Sequence, residues 1–264
     1  MDQAWHYDPL ADLDPKLLER LQAIRYAPNL LVRGLRSVAA AAVRGWLRAY
    51  HRLSILGREN LPADSSFILV ANHASHLDTL CLLSALPMRR LHRTFPAAAK
   101  DYFCVSAPRA FAAAVVVNAV PFDRHGAPWE SLSICAQVLE QPGSVLIFFP
   151  EGTRSCGTAP GEFKPGVALL AAGRNIPIVP CHLAGTGAAL PRGAWCPRPR
   201  AVRLTIGAPR LYTHLPATKE SARHICRELR NDVMRLGHLD QPFHADESLT
   251  GRAGKPDLYP REAP

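Results

Sequence analysis

The sequence predicts an α/β domain with a mostly parallel central sheet flanked by helices, preceded by an amphipathic helical segment. Three observations predict it. Short apolar runs of strand length alternate with segments of helical period between Gly57 and Leu236. The run Val145-Leu146-Ile147-Phe148-Phe149 is apolar without alternation, as in a strand covered on both faces of a parallel sheet. Gly and Pro punctuate the joins, as at Gln141-Pro142-Gly143.

Residues 1–28 are polar and form a loose or helical leader. From Leu30 to Tyr50 a helix is expected. At the helical period, Leu31, Leu35, Val38, Ala42, Trp46 and Ala49 share one face, and Arg33, Arg36, Arg44 and Arg48 gather on the other. That apolar face either enters a membrane interface or packs on the domain. Phe67 to Val70 is the first strand, followed by a loop at Asn72-His73 and a helix from about His76 to Leu86. Thr94 to Ala98 is a second strand, Asp101 to Val115 mostly helical, and Val116 to Phe122 extended.

Pro128 opens a helix that runs to about Glu140, because its fixed φ suits a first helical position. Strands at 145–149, Ile178 to His182 and Val202 to Ile206 follow, with a helix from Gly166 to about Arg174 between the first two. Lys219 to Leu236 is a charged amphipathic helix, and the composition from Gln241 onward is that of a disordered tail. The expected organisation is a leader with a basic, membrane-facing helix over 1–56, one catalytic domain over 57–240, and a tail over 241–264.

Composition bounds the function without naming it. The chain has 264 residues, with 48% hydrophobic and 20% charged, the balance of a globular protein. The 31 Lys and Arg exceed the 22 Asp and Glu by nine, which suits an anionic partner. The basic residues are dispersed, with no aromatic-interleaved patch or recognition helix, so nucleic acid is not expected. Seven scattered cysteines without a C-x-x-C pair argue against a disulfide framework or zinc site and favour a reducing compartment. No apolar stretch follows MDQAWHYDPL, and no run reaches the ~18 residues of a membrane span, so neither a secretory signal nor a spanning helix is expected.

Two segments carry reactive residues in loops after strands, where α/β folds place their sites. The first is Asn72-His73-Ala74-Ser75-His76-Leu77-Asp78. If the chain turns between His73 and Asp78, the carboxylate accepts from one imidazole nitrogen and leaves the other free to take a proton. Alone, the spacing equally fits a helix-capping carboxylate beside a satisfied histidine. The second is Phe149-Pro150-Glu151-Gly152-Thr153-Arg154-Ser155, in which a guanidinium, a hydroxyl and a glycine suit the approach of a phosphate. Alone, it equally fits an ordinary turn with a solvated arginine.

Together, N-H-x-x-x-x-D and F-P-E-G-T-R-S resemble the glycerolipid (lysophospholipid) acyltransferase family. Two weaker blocks stand in the family's order: Ala119-Val120-Pro121-Phe122-Asp123-Arg124, with Asn118 where the family usually has glycine, and Ile178-Val179-Pro180. The resemblance runs from about Gly57 to Pro209. It implies an O-acyltransferase in which His73 is the general base and Asp78 orients it. Arg124, Glu151, Gly152, Thr153 and Arg154 would bind the acceptor, with Glu151 holding an arginine or a backbone amide rather than the phosphate.

The donor would be acyl-CoA or acyl-carrier protein, and the acceptor a lysophosphatidic-acid-like lysophospholipid. The hydroxyl would attack the thioester directly, with no acyl-enzyme; no G-x-S-x-G elbow is present to supply a serine. Ser75, His76 and His182 would be structural. Lys164 would be either a donor-phosphate contact or a solvated residue. No metal or cofactor is implied. The protein would be cytoplasmic, held peripherally at an anionic membrane surface. Other acceptors (glycerol-3-phosphate, a lyso-ornithine lipid, another lysolipid), phospholipid transacylation, and a non-catalytic membrane-binding role are the alternatives.

Overall fold

The computed structural model describes residues 30–99, 118–122, 128–154 and 160–238. Its centre is a seven-stranded sheet, β1 (Ser54–Leu56), β2 (Phe67–Ala71), β3 (Thr94–Ala99), β4 (Val120–Phe122), β5 (Val145–Phe148), β6 (Ile178–Ala184) and β7 (Arg203–Ile206). The strand order is β1-β7-β6-β2-β5-β3-β4. Every neighbouring pair is parallel except β6 and β7, so the predicted class is the observed one. The helices are α1 (Leu30–Tyr50), α2 (Leu77–Ala85), α3 (Met88–Leu91), α4 (Pro128–Glu140), α5 (Gly166–Ala171), α6 (Thr186–Ala189) and α7 (Lys219–His238).

Strand side chains alternate between two buried layers, as the pleat requires. Phe67, Leu69 and Ala71 of β2 pack with Leu77, Cys81 and Leu82 of α2 and Leu47 of α1. Ile68 and Val70 point the other way, against Leu132 of α4, Leu170 of α5 and Ile225 and Leu229 of α7. All five residues of β2 are buried, which explains an apolar run without polar interruption. Each such Leu, Ile or Phe contributes roughly 1.5–3 kcal/mol by leaving water.

Four expectations change. The helix opening at Gly166 ends at Ala171 rather than near Arg174, because Gly173 takes φ 70° and turns the chain. β6 runs on to Ala184 because its last four residues, Cys181 to Ala184, pair with β7. The three-residue edge strand β1, too short to announce itself by periodicity, is recruited by β7. Just after it, Gly57 sits at φ 74°, and a Cβ there would lie 2.0 Å from Ile206 O, so only glycine fits. The expected helix over 101–115 lies outside the described residues.

The fourth change concerns α1, whose span is as expected but whose docked face carries Arg36 and Arg44, while Arg33 and Arg48 stay exposed. Leu47 is fully buried and Arg36 only 6% exposed, whereas Leu35 and Val38 are 53% and 68% exposed. Periodicity locates two faces, but not which one docks. The buried arginines find backbone and amide oxygens: Arg36 Nη2 donates to Asn118 Oδ1 at 3.3 Å, and Arg44 Nη2 to the carbonyls of Leu83 and Leu86 at the end of α2. Burial lowers the pKa of both guanidiniums below the ordinary arginine range. Asn118, in the position where the family usually has glycine, takes φ 58°, a left-handed conformation that Asn tolerates.

Candidate active site

The site follows from sheet register. β2 and β5 are parallel neighbours with Val70 opposite Phe148, so the loops that leave their carboxyl ends emerge side by side. One loop carries His73, the other Glu151. Asn72 fixes the first: its side-chain amide donates to Leu183 O at 3.0 Å and its carbonyl accepts Leu183 N at 2.8 Å, which ties the end of β2 to β6.

Asp78 lies in the first turn of α2 and is fully buried. Its Oδ2 accepts His73 Nδ1–H at 2.9 Å, Ala74 N at 2.7 Å and Ser75 N at 2.8 Å. Two amides and a helix N-terminus therefore hold the carboxylate in place before the imidazole docks on it. With Nδ1 as donor, Nε2 carries the lone pair. The His73 side chain is 19% exposed, open enough to meet a substrate. Phe149 stacks on its ring with centroids 4.2 Å apart and an interplanar angle of 19°. The carboxylate and the stacked ring together limit both the tilt and the rotation of the imidazole.

Glu151 is 7% exposed. Oε1 accepts His73 N at 2.8 Å and Oε2 accepts Gly161 N at 2.9 Å. Its carboxylate thus bridges the two loops, in the backbone-holding role open to it from the sequence. Behind it, Arg230 of α7 donates to Gly161 O at 2.9 Å and Pro160 O at 3.0 Å. A continuous set of contacts therefore runs from α7 through Gly161 and Glu151 to the backbone of His73.

Gly152, Thr153 and Arg154 occupy the turn after Glu151. Gly152 has φ 71°, and a Cβ there would stand 3.0 Å from Lys164 Nζ. Lys164 is anchored beside that turn by its backbone N, which donates to Pro150 O at 2.9 Å. Thr153 is exposed and Arg154 half-buried, so both are within reach of solvent. Lys164, a candidate donor-phosphate contact by sequence, therefore lies beside this turn in space. Arg124 lies outside the described residues.

The remaining candidates are structural in their contacts. Ser75 is fully buried, and its hydroxyl donates to Leu190 O at 2.9 Å. His182 packs against α7, where a Cβ on Gly237 would lie 2.7 Å from its Nε2. Cys81, one turn along α2 from Asp78, is buried, and burial followed by the Asp78 charge pushes its thiol up to about 12. At neutral pH it is therefore a thiol and not a nucleophile. Among the described residues, no three or more His, Cys, Asp or Glu side chains gather as a metal site would require.

A family model described as Acyltransferase matches residues 52–184. A chloroplastic 1-acyl-sn-glycerol-3-phosphate acyltransferase of Brassica napus is 32% identical over 187 residues, 70% of this chain and 50% of that one. A chloroplastic counterpart from Arabidopsis thaliana is 33% identical, covering 70% of this chain and 49% of its own. The chain spans about half the length of these plant relatives. The 1-acyl-sn-glycerol-3-phosphate acyltransferase of Bacillus subtilis is 26% identical over 74% of this chain and 94% of that one. The crystal structure of the 1-acyl-sn-glycerophosphate acyltransferase from Thermotoga maritima superposes with a TM-score of 0.59 at 22% identity, over 84% of this chain and 87% of that one.

Proposed function

Because the chain belongs to the acyltransferase family, we propose that it moves a fatty acyl group from a thioester donor, acyl-CoA or acyl-carrier protein, onto a lysophosphatidic-acid-like acceptor. The observation that carries this reading is the 2.9 Å contact of His73 Nδ1 with a buried Asp78, beside a turn that holds Arg154 and Lys164.

In this mechanism His73 Nε2 takes the proton of the acceptor hydroxyl as its oxygen attacks the thioester carbonyl carbon. A C–O bond forms, the tetrahedral intermediate collapses with loss of the C–S bond, and the thiolate leaves with the proton returned by the imidazolium. Asp78 keeps the tautomer and stabilises the transient imidazolium charge. Direct transfer is supported by the state of the neighbouring nucleophiles, since Ser75 Oγ is committed to Leu190 O and Cys81 is buried as a thiol. The catalytic domain would be residues 57–240 with α1 laid against it. A panel of lysophosphatidic acid, glycerol-3-phosphate and a phosphate-free lysolipid, each offered with acyl-CoA and with acyl-carrier protein, tests the assignment. Turnover should be highest with lysophosphatidic acid; a preference for the phosphate-free acceptor would overturn it.

The acceptor's phosphate would be held by Arg154, with Arg124, Lys164 and the Thr153 hydroxyl beside it. Arg154→Ala should raise the acceptor KM about 10- to 100-fold, the worth of one charged hydrogen bond, and leave the donor KM within about twofold. Initial rates with each substrate varied in turn separate the two; a change confined to the donor term would contradict the role.

Association with an anionic membrane surface is part of the same proposal. No helix among the described residues is long and apolar enough to cross a membrane. Leu30, Leu35 and Val38 stand exposed along α1, and Trp195 is 93% exposed in a loop that also carries Arg192, Arg198 and Arg200. Residues 163–219 contain no Asp or Glu, so nothing in that loop offsets its arginines. Apolar and aromatic side chains bordered by arginine fit the boundary of an acidic bilayer. Leu35→Asp/Val38→Asp should weaken cosedimentation with phosphatidylglycerol vesicles by about tenfold or more, from the loss of two interfacial side chains. Turnover of a monomeric short-chain acceptor should be unchanged.

A further inference from the structure

At the opposite end of the sheet from His73 lies a cavity of about 460 Å³, a size suited to a small ligand. Phe67, the first residue of β2, lines it, whereas His73 follows the last; about 13 Å of strand separates the two ends. Its floor and walls are contributed by the second half of α1, the carboxyl end of α2, β1 and α3.

Five arginines line this cavity, Arg44, Arg48, Arg58, Arg89 and Arg90, and no carboxylate does. Arg90 is committed to the fold: it donates to Ser65 O, Gly143 O, Pro62 O and Ala63 O, and Asp64 offsets part of its charge. The others are less spent. Arg58 uses one nitrogen on Ser84 O at 3.4 Å. Arg44 uses Nη2 on the end of α2, while its Nε is buried without a hydrogen-bond partner. Arg48 and Arg89 are exposed and make no hydrogen bond or ion pair among the described residues.

Two of these charges also repel. After burial, the second cause lowering the Arg44 pKa is the neighbouring Arg58 guanidinium. Like charges held around a concavity focus a positive field, which calls for an anion. The same cavity has an apolar side, with Leu53, Leu61 and Leu86. Arginine forks match the oxygens of phosphate, and an apolar wall beside them suits the organic part of such a molecule.

From five arginines around one cavity with no carboxylate in its lining, we infer that this cavity is a second anion site, separate from the acyl-transfer site, that binds an organic phosphate carrying a phosphomonoester or diphosphate group. That chemistry is shared by a soluble nucleotide and by the headgroup of an acidic lipid. Arg48, Arg58 and Arg89 supply exposed contacts, and the half-buried Arg44 lies among them.

The test uses the full chain with Arg154→Gln, which removes the acceptor-phosphate arginine, and inorganic pyrophosphate as the calorimetric probe at constant ionic strength. One saturable site is expected. Adding Arg48→Gln/Arg89→Gln should weaken it by about tenfold or more, the effect of losing one to two charged contacts. Both side chains are exposed and unbonded, so the fold should hold, as an unchanged Tm would verify. Equal affinity in the two proteins, or no saturable binding in the first, would overturn the site.

Competition then identifies the source. Displacement of pyrophosphate by adenosine 3′,5′-diphosphate names a nucleotide, and displacement by phosphatidic acid in phosphatidylcholine vesicles names a lipid headgroup. Displacement by neither would overturn the assignment to an organic phosphate.

Discussion

His73→Ala should lower kcat/KM for acyl transfer by about 10²–10⁴-fold, the range contributed by a positioned general base. The expectation rests on geometry that the substitution removes cleanly. The His73 imidazole is held by Asp78 and still open to solvent, with 19% of its side chain exposed. Ser75 and Cys81 cannot replace the imidazole as base, because Ser75 is buried and Cys81 is a buried thiol.

The loss should be chemical and not structural. Asp78 Oδ2 keeps its two backbone donors, Ala74 N and Ser75 N, when the ring is gone, so the buried carboxylate is not orphaned. Far-ultraviolet circular dichroism and Tm should match the parent protein, and KM for both substrates should change little. Residual transfer within tenfold of the parent rate would sink the assignment of His73.

The second large effect is expected at Glu151. Glu151→Ala leaves His73 N and Gly161 N without acceptors in a region where Glu151 itself is 7% exposed. Each orphaned buried donor costs about 1–3 kcal/mol, so losing the acceptor of both should lower stability by roughly 2–6 kcal/mol. At about 2–4 °C per kcal/mol for a chain of this size, Tm should drop by roughly 4–24 °C. The His73 backbone is released at the same time, and kcat should fall on the order of 10²-fold, as expected when a catalytic group is misplaced by an ångström.

Glu151→Gln keeps one carbonyl acceptor and should recover roughly half of the lost stability. The acceptor KM distinguishes this positioning role from direct binding of the acceptor. It should stay within about threefold of the parent value, because both carboxylate oxygens already hold backbone amides. A large rise in acceptor KM with kcat unchanged would place Glu151 on the substrate instead.

Much of the sheet was legible because its signal is local. A run such as Val145 to Phe148 is buried on both faces and shows no alternation, and the helix 128–140 carries its own start in Pro128. What escaped was decided at a distance. β1 exists because β7 pairs with it, and β6 extends to Ala184 for the same reason. On α1 the two faces were visible, but the partners of the docked face, Asn118 and the carbonyls at the end of α2, are far from it in sequence.

The site divides in the same way. His73 and Asp78 are five residues apart and gain meaning from the second motif, and the left-handed Asn118 stands where the family usually has glycine. The stacking of Phe149 on His73, and the bridge that Glu151 makes to His73 N, depend on the parallel register of β2 and β5. Register of that kind is a property of the assembled sheet. The arginine cavity is less legible still, because its five guanidiniums come from three separate segments and mean nothing until α1 is folded back on α2.

A rapid acid quench distinguishes direct attack of the acceptor hydroxyl on the thioester, with His73 as base, from a route through an acyl-enzyme. The protein, mixed with radiolabelled acyl-CoA or acyl-carrier protein alone, should carry no acid-stable protein-bound acyl group. Labelled phosphatidic acid should appear only after lysophosphatidic acid is added, and not at all on this timescale with His73→Ala. Stoichiometric labelling of the protein before the acceptor is present would contradict the account.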